Sequence, residues 1–246
     1  MCGNPYAVVA YQTAYLKYYY PREFMAALMT SIMDNVTKVS EYILACRNMG
    51  IGILPPDINE GVSGFSVSGN SIRYGLSAIK SVGRAVVDVI ISEREAGGPF
   101  STLEDFVSRM SNREVNKRTL ESFIKSGSLD SLPGTRKQKL YVSSELLENK
   151  AREKKTVMEG QMSFFDIAPE EDKGNFQVSF PDVGEFDKET LLAFEKETLG
   201  IYVSGHPMEA YQELWQKNVT ARTSDFIVDE DGHTVVEDIP LWWWEA

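Results

Sequence analysis

Residues 73–94 read RYGLSAIKSVGRAVVDVIISER, and the fold turns on how the Ala78–Val86 part of this run is resolved. Helix-forming residues stand on both sides of Ile79-Lys80-Ser81-Val82-Gly83-Arg84, with Gly83 at the joint, so the run predicts a short helix, a tight hairpin and a second helix starting at once. A helix N-terminus presents backbone N–H groups without intrahelical partners, and such groups bind phosphate. Lys80 and Arg84 add positive charge on the same side. A weaker version follows at Leu120–Gly127, where Lys125-Ser126-Gly127 closes a helix and Lys117 and Arg118 lie one to two turns upstream. The plainer reading is two helix–turn–helix joints with glycine at the C-cap. Spacing alone leaves both readings open.

Outward from this run, the pattern stays helical. Apolar residues at helical spacing between Tyr6 and Met33 predict two helices, broken at Tyr20-Pro21, where proline suits a first helical turn. A third helix is expected over Lys38–Met49, closed by Gly50. ILPPDINEG (53–61) reads as an extended connector, and Phe65–Ser68 and Ser71–Tyr74 as a small hairpin around Gly69-Asn70. Short helices are expected at Ser77–Ile79, Arg84–Arg94, Thr102–Met110 and Val115–Lys125, and a longer one over Gln138–Thr156. The acidic, aperiodic stretch that follows reads as a linker, before helices at Lys188–Leu199 and Met208–Gln216 and an extended end from Thr220.

The net charge of −11 is unevenly placed. Residues 1–72 net −1, residues 73–140 net +4 and residues 141–246 net −14, so a polyanion would be met by the middle segment alone. Cys2 and Cys46 make no CxxC and no disulfide framework, there is no apolar run of membrane-spanning length, and the N-terminus has no leader pattern. The chain is therefore expected to be cytoplasmic, with no membrane contact.

Two further groups of residues bear on function. Gln161-Met162-Ser163-Phe164-Phe165 puts adjacent aromatics in an acidic, solvated stretch. They suit either a peptide inserting into a partner's pocket or a pin holding the linker to its own domain. Tyr11, Tyr15 and Tyr18 share a helical face, a pattern that usually marks a core, although such rings also stack on bases. A catalytic set is not apparent. Glu170-Glu171-Asp172 and Asp229-Glu230-Asp231 sit in linker-like surroundings, His206 and His233 have no metal-ligand spacing, and no phosphate-binding GxxxxGK[ST] occurs.

Residues from about Tyr6 to Tyr211 resemble the alpha subunit of bacterial DNA polymerase III, the C-family replicative polymerase. The resemblance is carried by YAVVAYQTAYLKYYYPREFMAAL, ILPPDINEG, IRYGLSAIKSVGRAVVDVIISERE, VNKRTLESFIKSGSLDSL and ETLGIYVSGHPMEAY. It implies that residues 1–72 are the late fingers domain, 73–140 a tandem helix-hairpin-helix, 141–175 a helix and linker carrying a clamp-binding peptide, and 176–246 a lead-in to an OB-fold near Val235. It makes Ile79 to Arg84 the first DNA-gripping hairpin, where family members often carry Gly at the position of Ser81, and Lys125-Ser126-Gly127 the second. Gln161 to Phe165 is similar to the family's pentapeptide for the beta sliding clamp, with Phe164 where leucine is usual. The family's catalytic aspartates and Mg²⁺ belong to a palm that nothing here matches, so the resemblance implies an inactive fragment without its own cofactor. Its partners would be duplex DNA, the clamp and the rest of the holoenzyme. The LWWWEA tail (241–246) matches nothing in that pattern.

The expected fold is mainly α, with one small β-hairpin, a tandem helix-hairpin-helix and an acidic, partly irregular C-terminal third. A free-standing helix-hairpin-helix module of a repair protein would leave the YAVVAYQTAYLK block and the pentapeptide unexplained. A structural adaptor without a nucleic-acid role fits the net charge but not the basic middle.

Overall fold

The structure is a computed structural model that describes residues 5–110, 115–158, 180–219, 227–228 and 234–235. The described chain falls into two units, divided after Ser204.

In the first unit, α1 (Pro5–Tyr19) and α2 (Pro21–Ser31) meet at Tyr20, and Pro21 opens α2, where its missing N–H and fixed φ are tolerated. Helix α3 (Val36–Asn48) starts on Asn35, whose side chain accepts from the Lys38 N–H. It ends in a Schellman turn. Gly50, at φ 74°, donates to the Arg47 carbonyl, and Ile51 donates to that of Cys46. Three short strands follow: β1 (Gly52–Leu54), β2 (Ser66–Ser68) and β3 (Ser71–Arg73). β2 and β3 form the expected hairpin, with Gly69 taking the positive φ (58°) that the first central position of a type II′ turn needs. The connector contributes more than expected, because β1 pairs in parallel with β3 and makes a sheet of order β1-β3-β2.

The rest of ILPPDINEG ties this sheet to the helices beyond. The Ile58 N–H donates to the Ser128 carbonyl at 2.8 Å, and Arg94 donates to the carbonyls of Ile58 and Gly61, both at 2.9 Å. Asn59 pairs with both backbone groups of Phe100. A 3₁₀ turn (Leu76–Ala78) leads through the hairpin to α4 (Arg84–Gly97), α5 (Leu103–Arg109) and α6 (Lys117–Lys125). α7 (Arg136–Met158) opens with a reciprocal capping box between Thr135 and Gln138. α8 (Lys188–Leu199) is capped by the Asp187 carboxylate at the Thr190 N–H and closed by Gly200 in the left-handed conformation.

One hydrophobic core runs from Met25 and Met29 through Ile58, Ile72 and Tyr74 to Leu199. Phe100, Phe106 and Phe123 extend it by edge-to-face contacts of 5.2 and 6.0 Å. The tyrosines of α1 do not join it. Tyr11 and Tyr18 are more than two-thirds exposed, and Tyr11, Tyr15 and Tyr19 instead stack along their own helix. The physical reason is that α2 is the main neighbour of α1 among the described residues, so most of the α1 surface faces solvent.

The second unit contains a 3₁₀ turn (Pro207–Tyr211), α9 (Gln212–Asn218) and an antiparallel pair, β4 (Ile227–Val228) with β5 (Thr234–Val235). The LWWWEA tail lies outside the described residues. No helix among the described residues is long and apolar enough to cross a membrane.

Candidate nucleic-acid interface

The hairpin is pinned by two apolar side chains and exposes everything between and after them. Ile79 and Val82 are buried, whereas Lys80, Ser81, Gly83, Arg84 and Ala85 face solvent. Ile79 accepts from the Val82 N–H at 3.1 Å, closing a turn whose third residue, Ser81, has φ 69°. That is the position where a type II turn asks for glycine. Ser81 is the one non-glycine residue at positive φ among the described residues. Gly83 is the N-cap of α4 without a side-chain cap, and a Cβ there would meet open space. Among the described residues, no backbone carbonyl takes the N–H groups of Ser81, Gly83, Arg84 or Ala85. They form a ready cradle for an anion, flanked by two cationic side chains.

Helix α6 adds to the same place. Its N-cap, Asn116, accepts from the Thr119 N–H, and this sets Lys117 and Arg118 at an exposed first turn. Arg118 Nε donates to Ser81 Oγ at 3.1 Å, so α6 and the hairpin are directly linked. Arg118, Glu121 and Lys125 follow the i, i+3, i+7 spacing of one helix face. With Lys80, Ser81 and Glu197 they line an open pocket of about 200 Å³. Neither Lys80, Arg84 nor Lys117 has an ion pair within 4 Å among the described residues.

The second joint is built differently. The Gly127 N–H donates to Ile124 and the Ser128 N–H to Phe123, a Schellman turn with Gly127 at φ 79°. The Ser126 N–H donates to Ser122, and Ser126 and Ser128 are fully buried. These N–H groups are therefore committed within the turn, and Lys125 is what the joint offers to solvent. Arg136 braces it with a bidentate pair to Asp130 (3.0 and 2.6 Å) and a bond to the Lys125 carbonyl. A Cβ on Gly127 would run into that guanidinium. Behind it, Lys139 is buried and donates to the carbonyls of Leu129 and Leu132, both at 2.8 Å. Burial pushes its ammonium below the ordinary lysine range, opposed by the nearby carboxylates of Asp130 and Glu185.

Sequence reading missed the part played by α8. The Lys80 N–H donates to the Thr198 carbonyl at 2.9 Å, Lys125 Nζ lies 3.2 Å from both Glu197 oxygens, and the Tyr74 hydroxyl donates to Leu199. The helix itself was readable, but nothing local announces contacts with residues more than 70 positions earlier. Gln161, Met162, Ser163, Phe164 and Phe165 lie outside the described residues. Among the described residues no group of three or more His, Cys, Asp or Glu is placed to hold a metal ion.

Comparison with known proteins bears directly on this geometry. Residues 50–139 match the helix-hairpin-helix motif family, a stretch that contains both joints. The chain is 43% identical over 208 residues to the DNA polymerase III subunit alpha of Borreliella burgdorferi, covering 85% of this chain and 18% of that one. Homology places the chain in the DNA polymerase III alpha-subunit family. The same subunit from Thermus aquaticus is 42% identical over 209 residues (85% of this chain, 16% of the relative). That of Vibrio cholerae is 38% identical over 224 residues (89% and 19%). The chain thus spans less than a fifth of the length of these alpha subunits.

Proposed function

We propose that this chain is a duplex-holding segment of a bacterial replicative DNA polymerase, gripping the sugar–phosphate backbone at the Ile79–Arg84 hairpin and docking on the beta sliding clamp through Gln161–Phe165. The observation that carries the DNA reading is the set of unpaired backbone N–H groups of Ser81, Gly83, Arg84 and Ala85, beside Lys80, Arg84 and Arg118. Donors of this kind read phosphates and not base edges, so the grip is independent of sequence. The clamp reading rests on the pentapeptide's likeness to the family's motif; a tethered peptide raises effective concentration even when its own contact is weak. The rest of the polymerase holoenzyme completes the set of partners, and the setting is the bacterial cytoplasm. Nucleotidyl transfer is assigned to carboxylates and Mg²⁺ in a palm outside this sequence, so the chain alone extends no primer.

A salt titration of duplex binding tests the grip. Affinity falls linearly on log–log axes, and Lys80→Ala/Arg84→Ala lowers the slope by about 1.8, at roughly 0.9 per lost phosphate contact. Unrelated duplexes lose affinity alike. A loss confined to one sequence, or a slope that the double variant leaves unchanged, refutes the backbone grip. Clamp docking is expected in the micromolar range, about 8 kcal/mol, and vanishes in Phe164→Ala/Phe165→Ala. Clamp binding that survives this change moves the contact elsewhere.

A further inference from the structure

The anion pocket between the hairpin and α6 already faces an anion of its own. Glu197 reaches in from the last turn of α8 and places both carboxylate oxygens 3.2 Å from Lys125 Nζ. An acidic side chain in a helix's last turn opposes the partial negative charge of the free carbonyls there, so α8 by itself gains nothing from a glutamate at this position. Nor does the Glu197–Lys125 pair serve as a deep structural bond, since the Glu197 side chain is 56% exposed. α8 is held by other contacts. Thr198 takes the Lys80 N–H, Leu199 takes the Tyr74 hydroxyl, and buried Glu195 accepts from the Val203 and Ser204 N–H groups. What Glu197 does is put a carboxylate beside Lys125, the cation that the second joint presents to the pocket.

We propose that Glu197 is a built-in competitor for the duplex phosphate: its carboxylate holds Lys125, and a backbone phosphate recruits Lys125 only by exchanging with it. The proposal rests on the phosphate-grip reading and adds the residue that limits it. Exchange is available because the pair is partly exposed and open to water, and because Lys125 keeps a second contact when released, its ammonium lying 5.2 Å from the Phe194 ring centroid. The brake weakens the grip without removing it, since among the described residues Lys80, Arg84 and Arg118 have no carboxylate within 4 Å. Glu121 lines the same pocket but has no ion pair within 4 Å among the described residues, which makes it the internal control.

The test is duplex binding of the full chain, titrated with salt, for Glu197→Gln, Glu121→Gln, Lys125→Ala and Lys125→Ala/Glu197→Gln, with thermal midpoints to establish that each variant folds. E197Q is expected to tighten binding several-fold and to steepen the salt slope by about 0.9, one additional phosphate contact. Glu197→Asp, which withdraws the carboxylate while keeping its charge, shifts affinity the same way by less. E121Q leaves the slope unchanged, and the gain of E197Q disappears when Lys125 is alanine. The proposal is overturned if E197Q leaves affinity and slope at their wild-type values, if E121Q reproduces its gain, or if the gain persists without Lys125. Failure of the underlying grip looks different: wild type and Lys80→Ala/Arg84→Ala then bind alike, with the same salt response.

Discussion

Ser81 permits a test in which the usual order of two residues is reversed. Its φ of 69° places an L residue in the left-handed region, where a Cβ crowds the following carbonyl and costs roughly 1–2 kcal/mol. Comparing Ser81→Gly with wild type would mix relief of that strain with loss of the Arg118 Nε–Ser81 Oγ bond. Comparing Ser81→Gly with Ser81→Ala removes the difficulty, because both variants lack the hydroxyl and differ only in the Cβ. In a helix or strand interior, Ala is the more stable by roughly 0.5–1 kcal/mol. At Ser81 the order is expected to invert, with Gly more stable than Ala by about 1 kcal/mol, as for other positions that require φ above zero. For a unit of this size that is a difference of roughly 2–4 °C in the thermal midpoint, measured by circular dichroism or calorimetry. An S81A variant equal to or more stable than S81G would refute the turn geometry, and with it the direction in which the neighbouring N–H groups face.

Three other consequences are open to measurement. Lys139→Met keeps the volume but leaves the Leu132 carbonyl without its donor, while the Leu129 carbonyl keeps the Leu132 N–H, so a loss of about 1–3 kcal/mol is expected by denaturant titration; a neutral effect would show that water replaces the ammonium. The Asp187 carboxyl is held below its ordinary range, first by the Thr190 N–H, so its contribution to α8 is present above the unfolded value and lost as pH falls through the lower folded one. NMR titration should find its midpoint below that of the unfolded chain, and an equal or higher midpoint would remove it as the cap. Burial pushes the Cys46 thiol up to about 11, so peptide mapping after treatment with a thiol reagent near neutral pH should show Cys46 unlabelled until the chain unfolds; rapid native labelling would contradict its place in the core.

The first hairpin was legible because its turn and its charges are local, although Thr198 and Arg118 also hold it from afar. Ile79 and Val82 supply buried anchors three apart, Gly83 starts a helix, and Lys80 and Arg84 lie within the same six residues. The second joint was legible only as two alternatives. Lys125-Ser126-Gly127 suits a C-cap as well as a grip, and Arg136 and Lys139, which close on the turn from the next helix, lie beyond the local pattern. The α1 tyrosines show the limit of periodicity: a stripe identifies a face but not what covers it, and most of the α1 surface remains uncovered. Glu197 was unreadable for a related reason. A glutamate in an amphipathic helix is ordinary until its neighbour across space is known to be a lysine 72 residues earlier.

The bond from the Tyr74 hydroxyl to the Leu199 carbonyl joins residues 125 positions apart, and the Lys80 N–H reaches Thr198 beside it. On the ribosome, the hairpin region is therefore made long before the residues that finish it. At roughly 5–20 residues per second, the wait is about 6–25 s. For that interval the nascent chain carries its basic turn complete in sequence but without the helix end that fastens Lys80 and without the carboxylate that restrains Lys125. The late arrival of α8 supplies both the Thr198 carbonyl that takes the Lys80 N–H and the Glu197 carboxylate beside Lys125.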